Sequence, residues 1–218
     1  MSRKVYVLFG PPGSGKSSVV DRIEKETGLL GVHTGRQLEE EAARDKELGE
    51  RLRQTMNKGE LVPVEIVMQA IARPIDQHPE QDVLMEGFPR TPVQISSWQT
   101  LLEKHNLHFE SGVILELDEE TAWKRLEGRR ICEESGRVYN VYFHPPKRED
   151  RCDSGGGPLI QREDDRPEVV NKRLEEYREK TAPTIKEMKR RFPGKLTVVD
   201  ASQGFEDEVA AVRKAIGR

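Results

Sequence analysis

Three observations predict an α/β fold of three layers, a parallel sheet with helices packed on both faces. Short apolar runs alternate with longer amphipathic ones along nearly the whole chain. The short runs suit strands that are buried on both faces, as parallel strands are. Two stretches, 34–59 and 130–165, break the alternation and read as insertions into the core.

The first strand is expected at 5–9, Val-Tyr-Val-Leu-Phe, followed by a helix over 16–27. Further strands fall at 82–85, 112–117 and 196–200. Helical patterns fill the spaces around them, at 63–77, 92–104, 119–129, 167–191 and 204–216. In such a sheet the chemistry sits beyond the carboxyl ends of the strands. Residues 34–59 have a helical pattern but are strongly charged and poor in large apolar side chains, so they predict a small helical insertion. Residues 130–165 contain Pro145-Pro146 and Gly155-Gly156-Gly157-Pro158 and keep no helical period. A structureless loop of that length is uncommon in a compact domain, so a hairpin-rich mobile lid is expected. The core is then 1–33, 60–129 and 166–218, with the insertion at 34–59 and the lid at 130–165.

The bulk numbers exclude several classes. Within 218 residues, 36 Lys and Arg face 39 Asp and Glu, a net charge of −3. Balanced charge exerts no overall pull on nucleic acid or an anionic membrane, so neither is an expected partner. Runs such as Glu39-Glu40-Glu41 and Lys189-Arg190-Arg191 read as solvated helix faces. No apolar run approaches the ~18 residues of a membrane span. Met1-Ser2-Arg3-Lys4 leads straight into the first strand, without a signal or transit pattern. Two cysteines, Cys132 and Cys152, are too few for a disulfide scaffold. A soluble, cytoplasmic monomer is expected.

The strongest motif is Gly10-Pro11-Pro12-Gly13-Ser14-Gly15-Lys16-Ser17. It matches G-x-x-x-x-G-K-[ST] between a strand and a helix, the context of a P-loop. Glycines let the chain curl so that successive N–H groups point at phosphate oxygens. The helix N-terminus adds partial positive charge. Lys16 would reach the β- and γ-phosphates, and the Ser17 hydroxyl would face Mg²⁺. The Asn-Lys-x-Asp string of guanine-nucleotide switches is not present. A second cluster, Glu86-Gly87-Phe88-Pro89-Arg90-Thr91 with Gln94, sets an arginine at the mouth of the site.

With these motifs stand Thr34-Gly35, Gly59-Glu60-Leu61-Val62-Pro63, Arg125-Leu126-Glu127-Gly128-Arg129-Arg130, Ser135-Gly136-Arg137-Val138-Tyr139, Gln161-Arg162-Glu163-Asp164-Asp165-Arg166-Pro167 and Arg173-Leu174-Glu175-Glu176-Tyr177. In this order they closely resemble adenylate kinase in its long-lid form, over nearly the whole chain. The resemblance implies transfer from ATP to AMP, giving ADP, with Mg²⁺. It implies that Gly10, Pro12, Gly13, Ser14, Gly15, Lys16, Ser17, Ser18, Arg125, Arg129 and Tyr139 hold ATP. Thr34, Gly35, Leu61, Val62, Gly87, Arg90, Gln94, Arg162 and Arg173 would hold AMP, the glutamine reading the adenine edge. Lys16, Arg90, Arg129, Arg162 and Arg173 would be catalytic, and Asp164 would align the lid. The chemistry agrees: a phosphoryl group in flight spreads negative charge over three oxygens, and the protein supplies position and positive charge.

The chain departs from the family pattern in places. The family arginine that grips the acceptor phosphate falls at Glu39, a charge reversal. Arg36, three residues earlier on the same helix face, is the expected substitute, with Glu39 turned away or paired to it. Glu86 replaces an aspartate near Mg²⁺ and is expected to hold a metal-bound water. His33 replaces a serine and reads as a helix-start or packing residue. Where some family lids carry four zinc ligands, this chain has Cys132, Ser135, Cys152 and Gly155, so no zinc is expected. Two alternatives stay open: GTP as donor, and a nucleotide-binding regulatory protein with weak transferase activity, the reading that Glu39 and Glu86 favour.

Overall fold

The computed structural model describes residues 2–58 and 60–218; Gly59, the last residue of the expected insertion, lies outside them. Five parallel strands form the central sheet. They are β1 (Arg3–Phe9), β2 (Leu30–His33), β3 (Val83–Glu86), β4 (Leu107–Glu116) and β8 (Leu196–Asp200), in the order β2-β3-β1-β4-β8. The central strand β1 alternates cleanly. Val5, Val7 and Phe9 face α4 (Val64–Gln77), α5 (Gln94–Lys104) and α8 (Ala182–Arg191). Tyr6 and Leu8 face α1 (Lys16–Thr27) and α9 (Phe205–Ala215). Each face of the sheet therefore buries its own apolar cluster, as side chains alternating along a strand require. Trp98, fully buried, is packed edge-on by Phe109 and Phe192 with ring centroids 5.2 and 6.1 Å away.

The expected layers are present, and four boundaries differ. The sheet has a strand, β2, that the apolar pattern did not mark: Leu30-Gly31-Val32-His33 is short and interrupted by glycine. β4 begins at Leu107, five residues earlier than the apolar run, because Leu107 and Phe109 already pair beside β1. α6 (Glu119–Glu127) stops short of Arg129, which opens the lid's first strand. The long helix is divided: α7 (Pro167–Glu176) passes through one π turn, Tyr177–Thr181, before α8. Pro183 accounts for the widening, since it has no N–H to give to the preceding turn.

The insertion is a pair of helices, α2 (Thr34–Arg44) and α3 (Lys46–Asn57). Leu38, Ala42 and Leu52 anchor it to the main core. Gly49 lets the two helices cross closely, for a β-carbon there would lie 2.0 Å from the Ala42 carbonyl oxygen. The lid is a small antiparallel sheet in the order β6-β5-β7, from β5 (Arg129–Cys132), β6 (Val138–Asn140) and β7 (Leu159–Ile160). No helix among the described residues is long and apolar enough to cross a membrane.

Candidate active site

Because all five central strands are parallel, their carboxyl ends gather on one edge, and the loops leaving them form the site. The loop after β1 is the phosphate cradle. Gly13 has φ +83°, and a β-carbon on it would come within 2.6 Å of the Ala122 carbonyl oxygen, so only glycine holds that curl. α1 starts behind Gly15 without a side-chain cap, which leaves its first N–H groups free to meet an anion. Lys16 lies folded across the loop, its Nζ donating to the carbonyls of Gly10 (2.9 Å) and Pro11 (2.8 Å). Ser14 is fully buried, while Ser17 and Ser18 are exposed at the start of α1.

The carboxyl end of β3 supplies Glu86, which is buried beside this loop. The Ser17 hydroxyl donates to Glu86 Oε1 at 2.8 Å, and the His33 ring from the end of β2 stands 3.5 Å away. Burial pushes this carboxyl up, but the His33 ring, the Lys16 charge and the Ser17 hydroxyl outweigh it and hold it at about 2. Glu86 is thus an anion throughout the physiological range. Its backbone carbonyl accepts the Thr34 hydroxyl at 2.7 Å, which ties the start of the insertion to the same strand end.

From the next turn, Arg90 Nε donates to the Gly87 carbonyl at 2.8 Å. Gly87 is wedged between Thr34 and Arg90, where a β-carbon would lie 3.1 and 3.2 Å from their side chains. The side-chain oxygen of Gln94 accepts from the N–H groups of Arg90 (2.8 Å) and Thr91 (3.2 Å), leaving its amide nitrogen as the group it can offer a base. Val62 is buried and Leu61 half-buried in the segment leading to α4.

The remaining arginines meet at the base of the lid. Arg129 grips Asp165 bidentately, at 2.7 Å through both Nε and Nη2. Arg173 bonds Asp165 at 3.1 Å and Asp164 at 3.0 Å. Arg162 bonds Asp164 at 2.8 Å through Nε. Burial pulls the Lys16 ammonium down to about 8; Glu86 opposes the shift and the charges of Arg90, Arg173 and Arg129 add to it. The loop, the β3 turn, α7 and β5 therefore bring four cations within electrostatic reach of one another. Asp164 and Asp165 hold Arg129 and Arg173 in place, and a cluster of fixed cations of that kind suits a polyphosphate.

A family model described as adenylate kinase matches residues 8–192. The chain is 36% identical to an adenylate kinase of Thermotoga neapolitana over 215 residues, 97% of each chain. It is 34% identical to one of Archaeoglobus fulgidus over 96% of this chain and 98% of the relative. An adenylate kinase of Pyrococcus furiosus is 39% identical over 83% of this chain and 81% of its own length. The chain belongs to the adenylate kinase family. It is a nucleoside monophosphate kinase, passing phosphate reversibly between ATP and AMP.

Three residues of the sequence expectation, Arg36, Glu39 and Tyr139, are held by other groups of the protein. Arg36 does not pair with Glu39; it forks onto Asp21 of α1, at 3.1 and 3.2 Å to Oδ1. The carboxylates that act on Arg36 are Asp21 and Glu24 of α1 and Glu86 of β3, and Asp21 is the one that its fork meets. Glu39 instead accepts from Arg162 at 3.1 Å, linking the insertion to the lid base. Tyr139, expected against ATP, is buried inside the lid: its hydroxyl accepts from the Asp153 N–H at 2.8 Å and lies 3.5 Å from Cys152 Sγ. The half-exposed Arg125 is on α6, with its carbonyl accepting from Asn140 Nδ2 at 2.9 Å.

One residue of the arginine cluster escaped the sequence reading of this adenylate kinase fold. Asp165 is fully buried and is the shared anchor of Arg129 and Arg173, whereas Asp164, its neighbour, was singled out. The signal was present in the doublet Asp164-Asp165 ahead of Pro167, but only the turn Glu163–Asp165 decides which carboxyl faces inward. His33, read as a helix-start or packing residue, is both: it stands just before α2 and packs against Glu86. In the lid, Ser135 Oγ lies 3.5 Å from Cys152 Sγ, and the Ser135 N–H donates to Cys132 Sγ at 3.4 Å. Hydrogen bonds from Ser135, Cys132 and Tyr139 bring the Cys152 thiol down to about 7. Two thiols, a serine and a glycine at the four positions do not fit a structural zinc site; the hydroxyls supply the polar contacts there.

Proposed function

We propose that the enzyme converts Mg²⁺·ATP and AMP to two ADP with ATP on the P-loop and AMP between the insertion and the β3 turn. The observation that supports this division is that Arg90 of the β3 turn, Arg173 of α7 and Arg129 of β5 all lie close enough for their charges to act on Lys16 of the phosphate loop. Gly10, Pro12, Gly13, Ser14, Gly15, Ser17 and Ser18 would cradle the donor phosphates, with Arg125 against the donor base. Lys16 would stay with the β- and γ-phosphates as the phosphoryl group moves. Arg129, Arg162 and Arg173 would lie along the transferring group once Asp164 and Asp165 have fixed their forks. Spread positive charge of that kind favours the transition state over either ground state. Closure of the lid would keep water from taking the phosphate.

Thr34, Gly35, Gly87, Arg90 and Gln94, with the backbone near Leu61 and Val62, would hold AMP. The Gln94 amide nitrogen donates, so it suits N1 of adenine, an acceptor, and not the protonated N1 of guanine. Ser17 and the ionised Glu86 fit Mg²⁺, the hydroxyl as a direct ligand and the carboxylate through a water. The ion would neutralise charge on the donor's phosphates.

The test is direct. Purified enzyme is mixed with Mg²⁺·ATP and each of AMP, GMP, UMP and CMP, and the products are separated. ADP formed in a two-to-one ratio to AMP consumed, with AMP far ahead of the others, is the expected result. Equal turnover of GMP would remove the role given to Gln94.

A further inference from the structure

Glu208 stands in the first turn of α9, yet it is only 3 % exposed. Its carboxylate faces the phosphate loop: the two oxygens lie 3.6 and 3.9 Å from where a β-carbon on Gly15 would sit. Oε1 is shielded from solvent and has no hydrogen-bond partner. The charged groups that face it come from three other elements. Arg125 on α6 and Lys16 at the start of α1 attract it, and Asp200 at the end of β8 repels it. On its own helix, Glu206 points outward to Arg22 at 2.8 Å, and Asp207 is exposed. Burial dominates the balance and raises the carboxyl to about 7. A buried carboxyl without a partner is costly to ionise.

The donor's phosphates need the same positive field that Glu208 feels, namely the uncapped start of α1, Lys16 and Arg125. A carboxylate beneath Gly15 competes for that field; a neutral acid does not. We propose that Glu208 couples donor binding to protonation, filling the space under Gly15 as an acid and opposing the donor's phosphates as a carboxylate. The inference rests on reading this loop as the donor cradle. When ATP arrives near neutral pH, a solvent proton moves onto Glu208 in the molecules where it is ionised, about half of them at pH 7. Donor affinity therefore falls as pH rises through about 7.

The experiment is isothermal titration with a non-hydrolysable Mg²⁺·ATP analogue between pH 6 and 8, in buffers of different ionisation enthalpy. Wild type is compared with Glu208→Gln, which keeps the shape and loses the titration. Protonation of the analogue is common to both proteins, so the difference isolates Glu208 together with its pull on Lys16. Wild type is expected to take up more protons at pH 7 and to lose roughly five- to tenfold more affinity across the range. AMP affinity should show the same pH slope in both. Equal proton uptake and equal slopes for the analogue overturn the proposal while leaving the donor cradle intact. No binding of the analogue to either protein overturns the cradle reading itself. If Glu208→Gln does not fold, Glu208→Val serves the same comparison, and wild-type proton uptake no greater than the analogue's own overturns the proposal without any variant.

Discussion

On the donor side of the cleft, Gly13, Gly15 and the first turn of α1 present backbone N–H groups from a loop packed against α6 and α9. On the acceptor side, Arg36, Arg90 and Arg162 are long side chains, and two of them already hold carboxylates of other elements, Asp21 and Glu39. The first arrangement is prepared for an anion before one arrives. On the proposed assignment the second would exchange ion pairs for a ligand, which would cost affinity but let the insertion and lid base respond to AMP. Preorganised donors contribute most where charge develops, since nothing has to reorient. The donor loop should therefore tolerate change least.

The largest expected effect is at Lys16. Lys16→Met should lower kcat by about 10³ or more, read in a coupled assay with saturating AMP. A loss below tenfold would break the contrast between a prepared donor side and an adaptable acceptor side. Next comes Asp165, fully buried between Arg129 and Arg173. Removing one partner of a buried ion pair costs about 3 kcal/mol or more, so Asp165→Ala should lower Tm by roughly 10 °C in a chain of this size. Asp164→Ala, whose carboxylate is less enclosed, should lower it by less. Equal melting shifts would show that the lid base is anchored by the pair and not by Asp165.

Lys16 also sharpens the contrast through pH. Its ammonium sits at about 8 in the free enzyme, lowered mainly by burial. The charged form attracts phosphate, so the share of donor affinity that Lys16 supplies is full below that value and weakens as pH rises through it. Affinity for the ATP analogue should fall about tenfold per pH unit well above 8, in wild type and in Glu208→Gln alike. Acceptor arginines stay charged there, so AMP affinity should change little.

What the sequence made legible follows the same division. Gly10 to Ser17 could be read directly because backbone curvature needs glycine at set spacings, and the strand before it is apolar from Val5 to Phe9. The acceptor side was harder to read because a long side chain's partner is not written in its spacing. Arg36 and Glu39 are three residues apart on α2, yet each reaches a different element, Asp21 of α1 and Arg162 beyond β7. Short elements failed for a related reason: β2 has four residues and β7 two, too few to display a period. Glu208 was hidden by its type and place, since a glutamate in the first turn of a helix ordinarily reads as a solvated N-terminal charge.

The smallest effect, and the one that tests the acceptor side most finely, belongs to Glu39. Its bond to Arg162 is exposed, with the two side chains 52 % and 37 % accessible, so it adds no more than about 1 kcal/mol to stability. Yet it holds an arginine that the transferring phosphate would need. Breaking it by Glu39→Ala should leave Tm within about 2 °C and lower the KM for AMP by a few fold, because Arg162 no longer exchanges partners on binding. Glu39→Arg should lower it further, since a charge-assisted hydrogen bond contributes about 1.5–3 kcal/mol when made in full. A KM that rises in both variants would mean that the Glu39–Arg162 link orders the acceptor site instead of competing with it. Arg162 would then act from the lid base as a fixed strut, and the acceptor side would be as prepared as the donor loop.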